Sequence, residues 1–219
     1  MNDGLFSQVA VLGSSAVLLC AIVMLWRHGI AGYISAFKWQ SNVLAALTAA
    51  VAYFGNDRDL YWVAALMVAV KGVAIPRLLT RLAHRVGQSR ETEPLVNTAT
   101  SLVISGLLIL LAHTAARPLQ TLSAAPTRAG IPLAIGLLFV SLFVLVSRKK
   151  AITQVIGFLM LENAIALLAV LATYGVPLVV ELGVFLDALM GFLVMQIVLY
   201  DIHNTFNTLD ADALNRLKH

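Results

Sequence analysis

The 219-residue chain is 60% hydrophobic and only 12% charged, with a mean hydropathy of +0.88, a balance that excludes an ordinary soluble domain and indicates a polytopic membrane protein. Its formal charge of +4 does not point to nucleic acid, because Lys and Arg gather between the apolar segments, where membrane orientation puts them. The single cysteine, Cys20, lies inside an apolar segment, which excludes an intrachain disulfide or cysteine-ligated metal centre and reads as packing.

Residues 5–26 are long enough to span a bilayer and lack both a basic leader and a small-residue cleavage site, so a retained first helix is expected. The second span must begin near Ile34, because the purely apolar run 43–54 is too short to cross about 30 Å of hydrocarbon. That start brings Lys38, Gln40, Ser41 and Asn42 into its first turns. With Lys38 snorkelling and Trp39 in an aromatic belt, the cluster is expected at the interface, the alternative being the mouth of a polar channel.

The third span, 60–83, holds Lys71 near its centre and Pro76 five residues later. Proline lacks the N–H that would bond the Gly72 carbonyl, so a helix discontinuity is expected at Gly72 and Pro76, beside a buried cation. Such a lysine either pairs or relays charge within the bundle, or snorkels toward Arg77. The polar stretch 77–94 carries Arg77, Arg81, His84, Arg85 and Arg90 against Glu91 and Glu93, and is expected to be cytoplasmic.

In a fourth span, 95–116, Ser101 and Ser105 have the small-xxx-small spacing that allows close helix approach, and His113 falls near the interface. The segment 117–130, with Pro118 and Pro126, is expected to be irregular and exposed. A fifth span, 131–147, has no ionisable side chain and reads as scaffold, ending at Arg148-Lys149-Lys150. Residues 1–147 thus form a five-span N-terminal bundle.

Two further apolar helices, 152–174 and 177–200, follow as a tight antiparallel hairpin within 148–200, the first carrying Glu162, the second Glu181 and Asp187. Counted outward from the turn, Glu162 and Asp187 both lie roughly 19 Å deep, level with each other and close to the midplane. A carboxylate there is unfavourable by several kcal/mol unless paired, hydrated or protonated, so it marks a translocation path or relay, or else a polar contact joining helices. Glu181, nearer the turn and on a different helical face, fits interfacial anchoring as well as function. The tail 201–219 turns polar, and Leu214 and Leu217 would share one side of a short helix that either contacts a partner subunit or stays disordered.

The chain has no GxGxxG, Walker loop, HExxH or CxxC, and no clustered Ser/His/Asp set. Instead the run 154–163, ending in Leu161-Glu162-Asn163, then 180–188, with Glu181 and Asp187, and finally Thr208-Leu209-Asp210 resemble hydrogenase-4 component E. The resemblance extends to Gln40-Ser41 and to Lys71 with Pro76. The C-terminal half is also similar to the K subunit of respiratory complex I and to the C subunit of multi-subunit cation/proton antiporters, where a helix glutamate matches Glu162. Asp187 stands where complex I has a second glutamate, a longer carboxylate.

The resemblance implies an integral subunit of an energy-converting hydrogenase or related complex in the bacterial cytoplasmic (inner) membrane. Its partners would be antiporter-like and other membrane subunits and a peripheral cytoplasmic arm, with iron–sulfur centres, and in some complexes a nickel–iron site, held by those partners. No cofactor, metal or catalytic centre is expected in this chain itself. The sequence therefore reads as an all-α transmembrane bundle of about seven spans, N-terminus outside and C-terminus cytoplasmic. Glu162, Asp187, Lys71 and Glu181 are the candidate proton or ion translocation residues. A subunit of a cation/proton antiporter and a non-conducting assembly scaffold are the alternatives.

Overall fold

The computed structural model describes residues 3–27, 29–85, 96–122 and 126–173, and among them regular structure is helical throughout. Helix α1 (Asp3–Trp26) lies along α2 (Ile30–Gly55), and the third long element is a composite of α3 (Asp59–Met67), a π-helical segment (Val68–Ala74) and α4 (Ile75–Arg85). Then come α5 (Thr98–Ala115), the short α6 (Arg117–Leu122), a 3-10 turn (Pro126–Gly130), α7 (Ile131–Ser147) and α8 (Ala151–Thr173).

Among the described residues, five stretches are long and apolar enough to cross a membrane: Gly4–Trp26, Asp59–His84, Thr98–Thr121, Pro126–Ser147 and Ile152–Ala172. Of the seven spans expected, the second and the seventh are not among them. Helix α2 has the length, at 26 residues, but Lys38, Gln40, Ser41 and Asn42 lower its hydropathy. The expected seventh span, 177–200, and the tail 201–219 lie outside the described residues.

The helix ends follow local chemistry. Helix α2 stops where Asn56 turns left-handed, at φ 51° and ψ 37°, and its N–H returns to the Ala52 carbonyl, a conformation asparagine tolerates better than most residues. The Asp57 carboxylate then accepts the N–H of Asp59 at 3.0 Å, turning the chain into α3. Helix α5 opens on Asn97, whose side chain accepts the Thr100 N–H at 2.8 Å and so satisfies one of the donors a helix start leaves free.

Helix α7 is the packing centre, touching α1, α5 and α8, with Leu137, Val140 and Val144 fully enclosed. Gly157 lets α8 lie directly on its backbone, since a Cβ there would stand 3.0 Å from the Leu145 main chain. Outward, Leu5, Leu12, Leu19 and Trp26 recur every seven residues along α1 and are all exposed, the arrangement of a helix that gives one stripe to lipid and the other to its neighbours. At one end of the bundle the Arg148 guanidinium lies 5.1 Å over the Tyr33 ring, a cation–π contact that joins the end of α7 to the first turn of α2.

The described residues of 117–130 are mostly exposed, as expected, but are not irregular. Arg117–Leu122 is helical, Pro126–Gly130 is a 3-10 turn, and Thr127 and Gly130 are buried. Thr127 is held inside by a contact remote in sequence: its hydroxyl donates to the Leu171 carbonyl of α8.

Candidate functional site

Lys71 and Glu162 are the central residues of their spans, Asp59–His84 and Ile152–Ala172. They meet. Lys71 Nζ lies 2.8 Å from Glu162 Oε1, and each residue is only 3% exposed. At this depth a lone ammonium or carboxylate would be strongly unfavourable, whereas the paired ions satisfy each other by a charge-assisted hydrogen bond.

The backbone around Lys71 is unusual. In the π segment the N–H of Ile75 reaches the Val70 carbonyl, five residues back instead of four, so the helix is not broken at this point but widened. Pro76 follows within the first turn of α4, where its missing N–H already weakens the α register. Gly72, also buried, lies against the side chain of Asn42: a Cβ at Gly72 would collide with Asn42 Oδ1. The lack of a side chain at Gly72 thus lets α2 approach the π segment beside the lysine. Short π segments inside α-helices recur at functional sites.

A second polar contact occupies the next position of α8. The Asn163 amide, fully buried, donates from Nδ2 to Gln40 Oε1 at 3.1 Å and to Ser41 Oγ at 3.0 Å. Gln40 and Ser41 are each 1% exposed, which corrects the interfacial placement expected for this part of α2. Lys38 and Trp39 do face outward, but the helix turns the next two residues into the bundle. Residues 40–42 of α2, 71–72 of the π segment and 162–163 of α8 therefore form one polar layer across the middle of three packed helices. Within it, Gln40 Nε2 and Asn163 Oδ1 have no partner among the described residues, so a donor and an acceptor there take partners beyond them.

Of the residues singled out from sequence, Lys71, Glu162, Gly72 and Pro76 come together here, while Glu181 and Asp187 lie outside the described residues, so the level pair expected between Glu162 and Asp187 does too. The participants sequence reasoning did not place in the site are Asn163, Gln40, Ser41 and Asn42. Their signal was the occurrence of four amide or hydroxyl side chains near the centres of long helices, where such groups need partners. The direct Lys71–Glu162 hydrogen bond allows a proton to pass between nitrogen and oxygen without a change of backbone, and the pair as a whole is neutral whether or not it does so.

The chain is 34% identical, over the full length of both, to the "uncharacterized protein Rv0085" of Mycobacterium tuberculosis. It is 27% identical over 183 residues, covering 83% of this chain and 84% of the relative, to hydrogenase-4 component E of Escherichia coli (strain K12), with the same figures for that component of Shigella flexneri. No family model and no solved structure matches.

Proposed function

We propose, from the premise that the chain belongs to the hydrogenase-4 component E family as a distant member, that it is an integral membrane subunit of a multi-subunit, hydrogenase-like complex. In this reading the Lys71–Glu162 pair takes part in proton or ion movement coupled to redox chemistry carried out by partner subunits. The observation that carries the proposal is the 2.8 Å contact between two nearly fully buried ions, each at the centre of an apolar span. Ion pairs at that depth are rare and are typically retained for a pathway or a relay.

The pair works as a switchable charge. When a proton or cation arrives on a neighbouring group, it competes with Lys71 for the Glu162 carboxylate, and either Glu162 takes up a proton or Lys71 swings away. The π segment under Lys71 gives the lysine a place to move, because a return of Val68–Ala74 to α register turns its side chain around the helix axis. Asn163, held by Gln40 and Ser41, keeps the α8 backbone fixed meanwhile. Asp187 and Glu181, which lie outside the described residues, are the further carboxylates this reading assigns to the relay.

In this reading the chain has seven spans with the N-terminus outside and the C-terminus cytoplasmic, in the bacterial inner membrane, beside antiporter-like subunits. A cytoplasmic peripheral arm carries the iron–sulfur centres and, where hydrogen is a substrate, the nickel–iron site. The same contacts also support a second reading, since an ion pair and an amide clamp between three helices are what a non-conducting assembly scaffold would use. Purification in a gentle detergent with identification of the co-purifying chains tests the membership. An iron–sulfur, hydrogenase-like subunit is expected; recovery of antiporter-like membrane chains alone would assign the protein to a cation/proton antiporter instead.

A further inference from the structure

A cleft of about 590 Å³ opens between the first half of α2 and the start of α4, at the end of the bundle where Arg148 meets Tyr33. Its charged lining is entirely basic: Lys38 from α2, and Arg77 and Arg81, one turn apart on α4. All three are exposed, and none forms an ion pair among the described residues. Ser35 and Thr80 add hydroxyls beside them, while Ile34, Val73 and Pro76 make an apolar floor.

The length of this cleft is informative. It reaches down to Gly72, next to the span centre, and Arg81 is nine residues further along, roughly 13 Å at helical rise. That is close to half of the ~30 Å hydrocarbon thickness. The basic rim therefore stands at headgroup depth, and the apolar floor runs from there toward the midplane. An ordinary topogenic arginine needs no cavity, whereas here three cations from two helices converge on one concavity with a greasy base.

We infer that this cleft binds an anionic phospholipid, with its phosphate held by Lys38, Arg77 and Arg81 and one acyl chain lying along Ile34, Val73 and Pro76. Arginine matches a phosphate with paired N–H donors, and the lysine adds a flexible point charge. Basic pockets between spans are suited to lipid headgroups for this reason. A free phosphate would use the rim but leave the apolar floor in water, and an acidic protein segment would meet the cations without needing the depth. The lipid alone fits both halves.

The test is native mass spectrometry of the full chain, released from mixed micelles of phosphatidylglycerol and phosphatidylcholine with matched acyl chains. One phosphatidylglycerol should be retained in preference to phosphatidylcholine. K38Q/R77Q/R81Q should weaken that preference on the order of a hundredfold, as expected for losing three cations at the membrane surface. R77K and R81K, which keep charge but lose paired donation, should weaken it several-fold and provide the reading if the triple variant does not fold. Arg58→Gln with Arg117→Gln, at positions outside the cleft, should leave it unchanged. Equal retention of both lipids, a preference that survives the triple variant, displacement of the lipid by inorganic phosphate, or an acidic polypeptide held in its place would each overturn the assignment.

Discussion

Replacing Lys71 with methionine removes one charge from a pair that is almost wholly buried, and the expected loss can be worked from the geometry. At 2.8 Å and an effective dielectric constant of about 20, the attraction is roughly 6 kcal/mol. Removing each ion from water is unfavourable by several kcal/mol, so the pair as a whole contributes little net stability. Taking away the lysine forfeits the attraction and leaves the Glu162 carboxylate buried without its ammonium, and a loss of about 3–5 kcal/mol is expected. Glu162→Met should lose a similar amount by stranding the ammonium. The double variant K71M/E162M loses both charges together and should be more stable than either single variant, by at least ~2 kcal/mol. Reversible unfolding of the full chain in mild detergent, read by circular dichroism across a denaturant series, measures the cycle. If the two single losses simply add to within ~0.5 kcal/mol, the ion pair does not exist in the folded protein.

Gly72→Ala should destabilise by about 1–3 kcal/mol in the same assay, because the new methyl meets Asn42 Oδ1, and the double variant G72A/N42A should recover much of the loss. Asn163→Leu should lose about 1–3 kcal/mol by leaving Gln40 and Ser41 unpaired in the bundle centre; a change within ~0.5 kcal/mol would mean that α2 and α8 are not joined there. The proposed orientation predicts that a cysteine introduced at position 88 is labelled by an impermeant maleimide only from the cytoplasmic side, and labelling only from the periplasm would reverse the topology.

Much of the fold was legible because apolar length and basic punctuation are strong signals in membrane chains. The expected fifth span, 131–147, coincides with α7, and the first span with all but two residues of α1. Lys71 and Glu162 stood out for the same reason, as ionisable groups at the centres of apolar runs. Their mutual contact was less legible: spacing along the chain set Glu162 level with Asp187, and Lys71 had only an unspecified partner within the bundle or a reach toward Arg77. Pairing between spans 91 residues apart depends on which faces pack, and a helix that is apolar all round does not display its face in its sequence. Gln40 and Ser41 were hidden by their neighbours, since Lys38 and Trp39 pull a sequence reading toward the interface although consecutive helical residues point about 100° apart. The π segment leaves no periodic trace at all, and Pro76 marks only its far edge. Thr127 was obscured by Pro126, a reliable helix-start or loop residue whose neighbour happens to meet the end of α8.

The central claim, that Glu162 carries a titrating role and not merely a structural one, is tested by Glu162→Gln in the assembled complex. Glutamine keeps the length of the side chain and can still accept a hydrogen bond from Lys71, but it cannot bind and release a proton. The readout is proton uptake by reconstituted vesicles during redox turnover, alongside the redox rate with an artificial dye acceptor. The variant complex should assemble and retain dye-coupled activity while losing proton uptake. Normal proton uptake per electron in Glu162→Gln, with the complex intact, would contradict the relay and leave Lys71–Glu162 as a joint between helices.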